Sequence, residues 1–179
     1  MPATVAIIGA GPLGRWLALS AARAGFRVLL EDVMPANLHH AREALRQELG
    51  QEALPNVTFA STVEDAVREA DLVLDCVPDE LESKLEILWL IDRMAPPRTV
   101  IATPTTRLSI TDLANCTYRR DKCIAIVAEA SALQSGLSAE ITLCSTEITS
   151  AETIALVENF WRQLGFNPRF EREALELPR

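Results

Sequence analysis

The sequence predicts one α/β domain built on a doubly wound, mostly parallel sheet. Three observations carry that prediction. Short apolar, β-branched runs alternate with helical stretches along the whole chain. A strand, a glycine loop, a helix and a second strand fill the first 32 residues. Leu72 to Val77 is apolar except for Asp75, as expected of a parallel strand covered on both faces. The 179 residues suffice for a sizeable core. They are 49% hydrophobic but only 5% aromatic, so that core is mainly Leu, Ile, Val and Ala.

The elements follow in order. Thr4 to Ile8 is a strand, a helix runs to Gly25, and Arg27 to Asp32 is the second strand. Pro35 to Leu49 has helical periodicity and stops at Gly50; Val57 to Ala60 is a strand. Ser61 with Glu64, and Thr62 with Asp65, each offer a capping box for a helix reaching Ala70. Pro78 ends the Leu72 strand, and Leu81 to Met94 is an amphipathic helix with Leu81, Leu85, Leu88 and Ile91 or Asp92 on one face. Val100 to Thr103 is a strand, and Ser109 with Asp112 caps a short helix. Strands at Cys123 to Ala128 and Ile141 to Cys144, a helix from Ser150 to Leu164 and a short strand at Asn167 to Phe170 complete the pattern. No repeat, low-complexity stretch or linker divides the chain. Residues 1–170 form one unit and 171–179 a short polar tail or the first turn of a helix.

Gly9-Ala10-Gly11-Pro12-Leu13-Gly14 directly follows the first strand and opens a helix, the context in which G-x-G-x-x-G reads as a dinucleotide fingerprint. Gly9 permits the turn, Gly11 lets backbone approach a pyrophosphate, and Gly14 lets helix and strand pack closely. Pro12 suits a first helical turn, and with Leu13 it belongs to the same phosphate-facing segment. Asp32, eighteen positions past Gly14, is placed to accept hydrogen bonds from the adenosine ribose, and its charge repels a 2′-phosphate, favouring NAD over NADP. Glu31 is the neighbouring candidate, but successive strand residues face opposite ways, so one of the two reaches the ribose.

A formal net charge of −8 disfavours a phosphate-backbone binder, so no nucleic-acid partner is expected. The basic group Arg119, Arg120 and Lys122 reads as a solvated turn. No signal peptide and no membrane-length apolar stretch is apparent, which points to the cytoplasm. Cys76, Cys116, Cys123 and Cys144 lack metal spacing and read as reduced thiols, with no metal site.

Over nearly all of its length the chain resembles the NAD-binding domain of the L-3-hydroxyacyl-CoA dehydrogenase family. Ala70 to Lys84, ADLVLDCVPDELESK, and Ala95 to Ile110, APPRTVIATPTTRLSI, are similar to two of its signatures, and Gly9, Gly11, Gly14 and Asp32 match its opening loop and acid. The resemblance implies a Rossmann-type fold, NAD as cofactor, an acyl-CoA or small hydroxy-acid substrate and a place in fatty acid metabolism. It also implies that the loop after Val77 borders the nicotinamide ribose, with Asp79 and Lys84 as polar contacts; the alternative is a solvated helix start.

The departures concern catalysis. Members of the family oxidise a 3-hydroxyl with a His–Glu pair. Val127 stands in the histidine's place, Ala130 in that of a nearby asparagine and Ala139 in that of the glutamate, with Glu140 one residue away. Pro104, Thr106 and Arg107 replace an asparagine and two serines. The two histidines, His39 and His40, lie after Asp32 on the adenosine side. A hydroxyl oxidation still needs a base, for which Glu129 and Glu140 remain, either of them otherwise an ordinary loop or surface carboxylate; Thr106 is the accompanying hydroxyl. Arg107 could anchor a carboxylate or phosphate, or be a surface charge. The family's helical domain would begin where this sequence stops. The expected reading is a NAD-binding protein with its catalytic pair lost. The alternatives are an oxidoreductase on another small hydroxy or oxo substrate, or a non-catalytic partner module, paired as a homodimer or with a subunit covering the missing domain.

Overall fold

Strand alternation sorts the core into two layers. In β1 (Thr4–Ile8), Val5 and Ile7 face one apolar cluster while Ala6 and Ile8 face another. The computed structural model describes residues 3–50, 53–128, 131 and 140–173. After β1 come α1 (Pro12–Arg23), β2 (Arg27–Glu31), α2 (Pro35–Glu48), β3 (Val57–Ala60), α3 (Val63–Val67), β4 (Leu72–Asp75) and α4 (Leu81–Met94). Then follow β5 (Val100–Pro104), α5 (Ile110–Asn115), β6 (Cys123–Val127), β7 (Thr142–Ser145), α6 (Ala151–Gln163) and β8 (Arg169–Arg172). Residues of α1, α2 and α6 build the first cluster, and residues of α3, α4 and α5 the second.

The eight strands lie in the order β3-β2-β1-β4-β5-β6-β7-β8. Pairings from β3 through β6 are parallel, β6–β7 is antiparallel and β7–β8 is parallel. The chain therefore has the doubly wound α/β fold. The order reverses between β1 and β4, so the crevice at their C-terminal ends is the place where such sheets bind ligands.

Local signals position several elements. Thr62 accepts from the Asp65 amide at 3.1 Å and donates to its carboxylate, and Ser109 accepts from the Asp112 amide at 3.1 Å. Ser150 does the same for Thr153 at 3.2 Å. α3 is shorter than expected, ending at Val67, and β8 extends past the expected Phe170 to Arg172.

Two expectations are corrected. The buried face of α4 is Lys84, Ile87, Leu88 and Ile91, while Leu81 is 53% exposed. The helix is rotated because Lys84 has a buried partner, which a polar-outside pattern counts on the wrong side. Arg119 is not solvated. It donates to the Asp92 carboxylate at 2.8 Å and to the carbonyls of Asp92, Ala95, Pro96 and Thr99. Two of these carbonyls, those of Asp92 and Ala95, belong to the end of α4, where no further helical amide follows to pair with them.

Candidate functional site

The glycine loop is held from three sides. The Gly9 amide donates to the Glu31 carbonyl at 2.8 Å, the Ala10 amide to Asp32 Oδ2 at 2.7 Å, and the Cys76 amide to the Ile8 carbonyl at 2.7 Å. Gly9 has φ +106°, and a Cβ there would come within 2.8 Å of the Cys76 carbonyl oxygen. A Cβ on Gly14 would overlap the Gly9 carbonyl oxygen. A Cβ on Gly11 would meet nothing within 4 Å. Two glycines are therefore required by the fold, while the third borders open space at the start of α1, where Pro12 occupies the first turn. The amides of Leu13 and Gly14 have no carbonyl to pair with inside the helix, so this space suits an anion.

Asp32 sits just past β2 with its carboxylate at that loop. Besides Ala10, it accepts from the Met34 amide at 2.7 Å and from Asn37 Nδ2 at 3.2 Å on each oxygen. Asn37, from α2, is a partner that the sequence reading missed. Glu31 points the other way, on the Leu29 side of the sheet, and is 4% exposed. Burial, and then the charge of Asp32, push its carboxyl up to about 7.

Across the crevice, β4 and β5 contribute a buried polar group. Asp75 and Thr103 continue the faces of Val73 and Ile101, so both point toward α4. Lys84 Nζ lies 2.9 Å from Asp75 Oδ1 and 3.1 Å from the Asp75 carbonyl oxygen, and Thr103 donates to Oδ2 at 2.6 Å. Burial pushes the Asp75 carboxyl up, and Lys84 and Thr103 draw it back. Lys84 is thus inside the protein, with 1% of its side chain exposed, beneath the loop containing Val77 rather than facing the crevice.

Asp79 ties two loops together. Its carboxylate accepts from Thr105 Oγ1 at 2.6 Å and from the Thr106 amide at 3.0 Å, while its carbonyl accepts from Arg107 Nη2 at 2.8 Å. Thr106 is exposed. Val127 ends β6, one residue beyond Ile126, whose carbonyl accepts from the Thr105 amide at 3.1 Å. Val127 is 37% exposed and has an aliphatic side chain at this rim. Glu140 pairs at 2.7 Å with Arg169 on β8, and His39 and His40 are exposed on α2. Glu129, Ala130 and Ala139 lie outside the described residues. Burial pushes the Cys76 and Cys123 thiols up to about 12 and about 11, so neither is a nucleophile near neutral pH. Among the described residues, no group of three His, Cys, Asp or Glu is placed to hold a metal ion, and no helix is long and apolar enough to cross a membrane.

A profile of the family described as "3-hydroxyacyl-CoA dehydrogenase, NAD binding domain" matches residues 4–169. The chain belongs to that family. Its cofactor is NAD, and the open space at Gly11 beside the Asp32 carboxylate fits a dinucleotide. The domain is 29% identical over 133 residues to a probable 3-hydroxybutyryl-CoA dehydrogenase of Bacillus subtilis (strain 168), covering 67% of this chain and 46% of the relative. It is 29% identical over 175 residues to the 5-formyl-3-hydroxy-2-methylpyridine 4-carboxylate 5-dehydrogenase of Mesorhizobium japonicum, covering 92% and 55%. The crystal structure of (S)-3-hydroxybutyryl-CoA dehydrogenase PaaH1 from Ralstonia eutropha superposes with a TM-score of 0.86 at 25% identity, covering 97% of this chain and 65% of that one. The NAD-binding chain described here thus spans about half the length of the curated relatives it matches.

Proposed function

We propose that this chain binds NAD(H) through Gly9, Gly11, Pro12, Leu13, Gly14 and Asp32, with Val77 and Asp79 bordering the nicotinamide end and Lys84 supporting it from inside through Asp75, and that the family's His–Glu pair is lost, Val127 and Ala139 standing in its place. The observation that carries this reading is the contrast across one crevice. The phosphate-facing half is built and open at Gly11, while Val127 occupies the rim of β6 where the family's base is expected. NAD supplies a hydride acceptor when bound; Asp32 would orient its ribose, exchanging the Asn37 contact for a hydroxyl. The protein would reside in the cytoplasm, act in acyl-CoA metabolism and assemble as a homodimer or with a subunit that completes the cleft. Calorimetry with NADH and NADPH, beside a turnover assay on 3-hydroxybutyryl-CoA, tests it. Micromolar NADH binding, weaker NADPH and no turnover are expected; robust turnover by the purified chain would sink it.

A second reading is an oxidoreductase acting on a small carboxylate-bearing hydroxy or oxo compound through Thr106 and Glu129. It is favoured by the Arg107 guanidinium, which is fixed to the Asp79 carbonyl beside Thr106, and by the carboxylate in the name of the Mesorhizobium relative. Loss of NADH production in Thr106→Ala or Glu129→Gln supports it, and unchanged rates dismiss it.

A further inference from the structure

Glu173 follows β8 and lies far along the chain from the crevice loops, yet it makes three hydrogen bonds to the segment after β5. Its carboxylate accepts from Ser109 Oγ at 3.0 Å, the Ile110 amide at 3.1 Å and the Thr111 amide at 2.7 Å. Its own amide donates to the Ser145 carbonyl at 2.8 Å, which fixes the backbone from which the carboxylate reaches. Burial alone would raise this carboxyl, but the hydrogen bonds from Thr111, Ser109 and Ile110 outweigh it and hold the group below its ordinary value.

The other end of the same segment is held by a different carboxylate. Thr105 Oγ1 donates to Asp79 at 2.6 Å and accepts from the Leu108 amide at 3.0 Å. Residues 105–109, which display Thr106 and Arg107, are therefore fastened at the start by Asp79 from β4's loop and at the finish by Glu173 from the end of β8. Both fasteners are carboxylates from distant parts of the chain, and both bind backbone amides as well as hydroxyls.

We infer that Glu173 is a positioning residue that couples the end of β8 to the loop at the nicotinamide end, setting the placement of Thr106 and Arg107 without touching a ligand itself. This rests on the reading of that loop as part of the cofactor-facing site. A carboxylate shared by two consecutive amides and a hydroxyl is a stronger fastener than a neutral group in its place, because each hydrogen bond is charge-assisted.

Hydrogen exchange of the full chain, read by mass spectrometry, tests the inference without any ligand. Glu173→Gln keeps the size and the β8 backbone pairing but removes the charge. It should speed exchange of Leu108, Ile110 and Thr111 about tenfold, leave β1 and β2 amides unchanged, and raise the NADH dissociation constant a few-fold. Glu173→Asp, which keeps the charge, should recover part of the protection, and it serves as the probe if the glutamine variant does not fold. Loosening confined to residues 169–173, or to Ile110 and Thr111 with Leu108 unchanged, overturns the inference. If wild type fails to bind NADH, the functional reading fails, while the exchange result still decides the role of Glu173.

Discussion

Lys84 and Asp75 form an ion pair closed to solvent, with Nζ 2.9 Å from Oδ1 and side-chain exposures of 1% and 0%. Both charges have given up hydration, and Thr103 supplies the remaining short contact at 2.6 Å. Removing one partner leaves the other buried and uncompensated. Lys84→Met should therefore cost about 3–5 kcal/mol of unfolding free energy. The double variant Lys84→Met/Asp75→Leu should recover much of that loss. Denaturant titration of the two variants checks both statements; equal loss in single and double would refute the pairing argument.

Gly11 and Gly14 should respond very unequally to the same added methyl. Gly14→Ala drives a Cβ into the Gly9 carbonyl and should prevent the native loop from forming, seen as a large drop in melting temperature. Gly11→Ala meets no neighbour within 4 Å, so its cost should stay near the ~1 kcal/mol of a poorer helix cap. NADH titration of that stable variant should nonetheless show greatly weakened binding.

In the proposed site Asp32 faces the adenosine ribose, and Asp32→Asn removes its charge. Hydrogen bonds to charged groups are worth about 1.5–3 kcal/mol, so NADH affinity should fall roughly ten- to a hundredfold. NADPH affinity should fall less, narrowing the preference between the two. Calorimetry with both dinucleotides measures the ratio, and an unchanged ratio would remove Asp32 from the argument.

Glu31 ties stability to pH. Its carboxyl is raised from 4.5 to about 7 in the folded protein, so between those values the native state holds a proton that the unfolded chain has lost. Its contribution is therefore fully present below pH 4.5, declines as pH rises toward 7, and changes little beyond. The difference in unfolding free energy between wild type and Glu31→Gln, measured across pH 5 to 8, should show that slope.

What could be read along the chain was local. Thr62 with Asp65 and Ser109 with Asp112 announce helix starts because cap and partner lie three residues apart. The glycine loop was legible because its three roles sit within six residues. Lys84 was misjudged because its partners are 9 positions away at Asp75 and, through that carboxylate, further still at Thr103. The Asp79 link to Thr105 spans 26 positions and the Glu173 link to Thr111 spans 62, distances at which no periodicity or motif reports a contact. Arg119 belongs with these, since its carbonyl partners exist only once α4 has ended beside it.

The way Gly14 presses against the Gly9 carbonyl has a kinetic consequence. The loop is already bonded to Glu31 and Asp32, so arrival of a dinucleotide requires little backbone rearrangement. Encounter should then proceed at the ordinary orientational rate, roughly 10⁵–10⁷ M⁻¹s⁻¹, with differences among variants falling on dissociation. For Glu173→Gln the slope of observed rate against NADH concentration should therefore match wild type, while the intercept, set by dissociation, should rise.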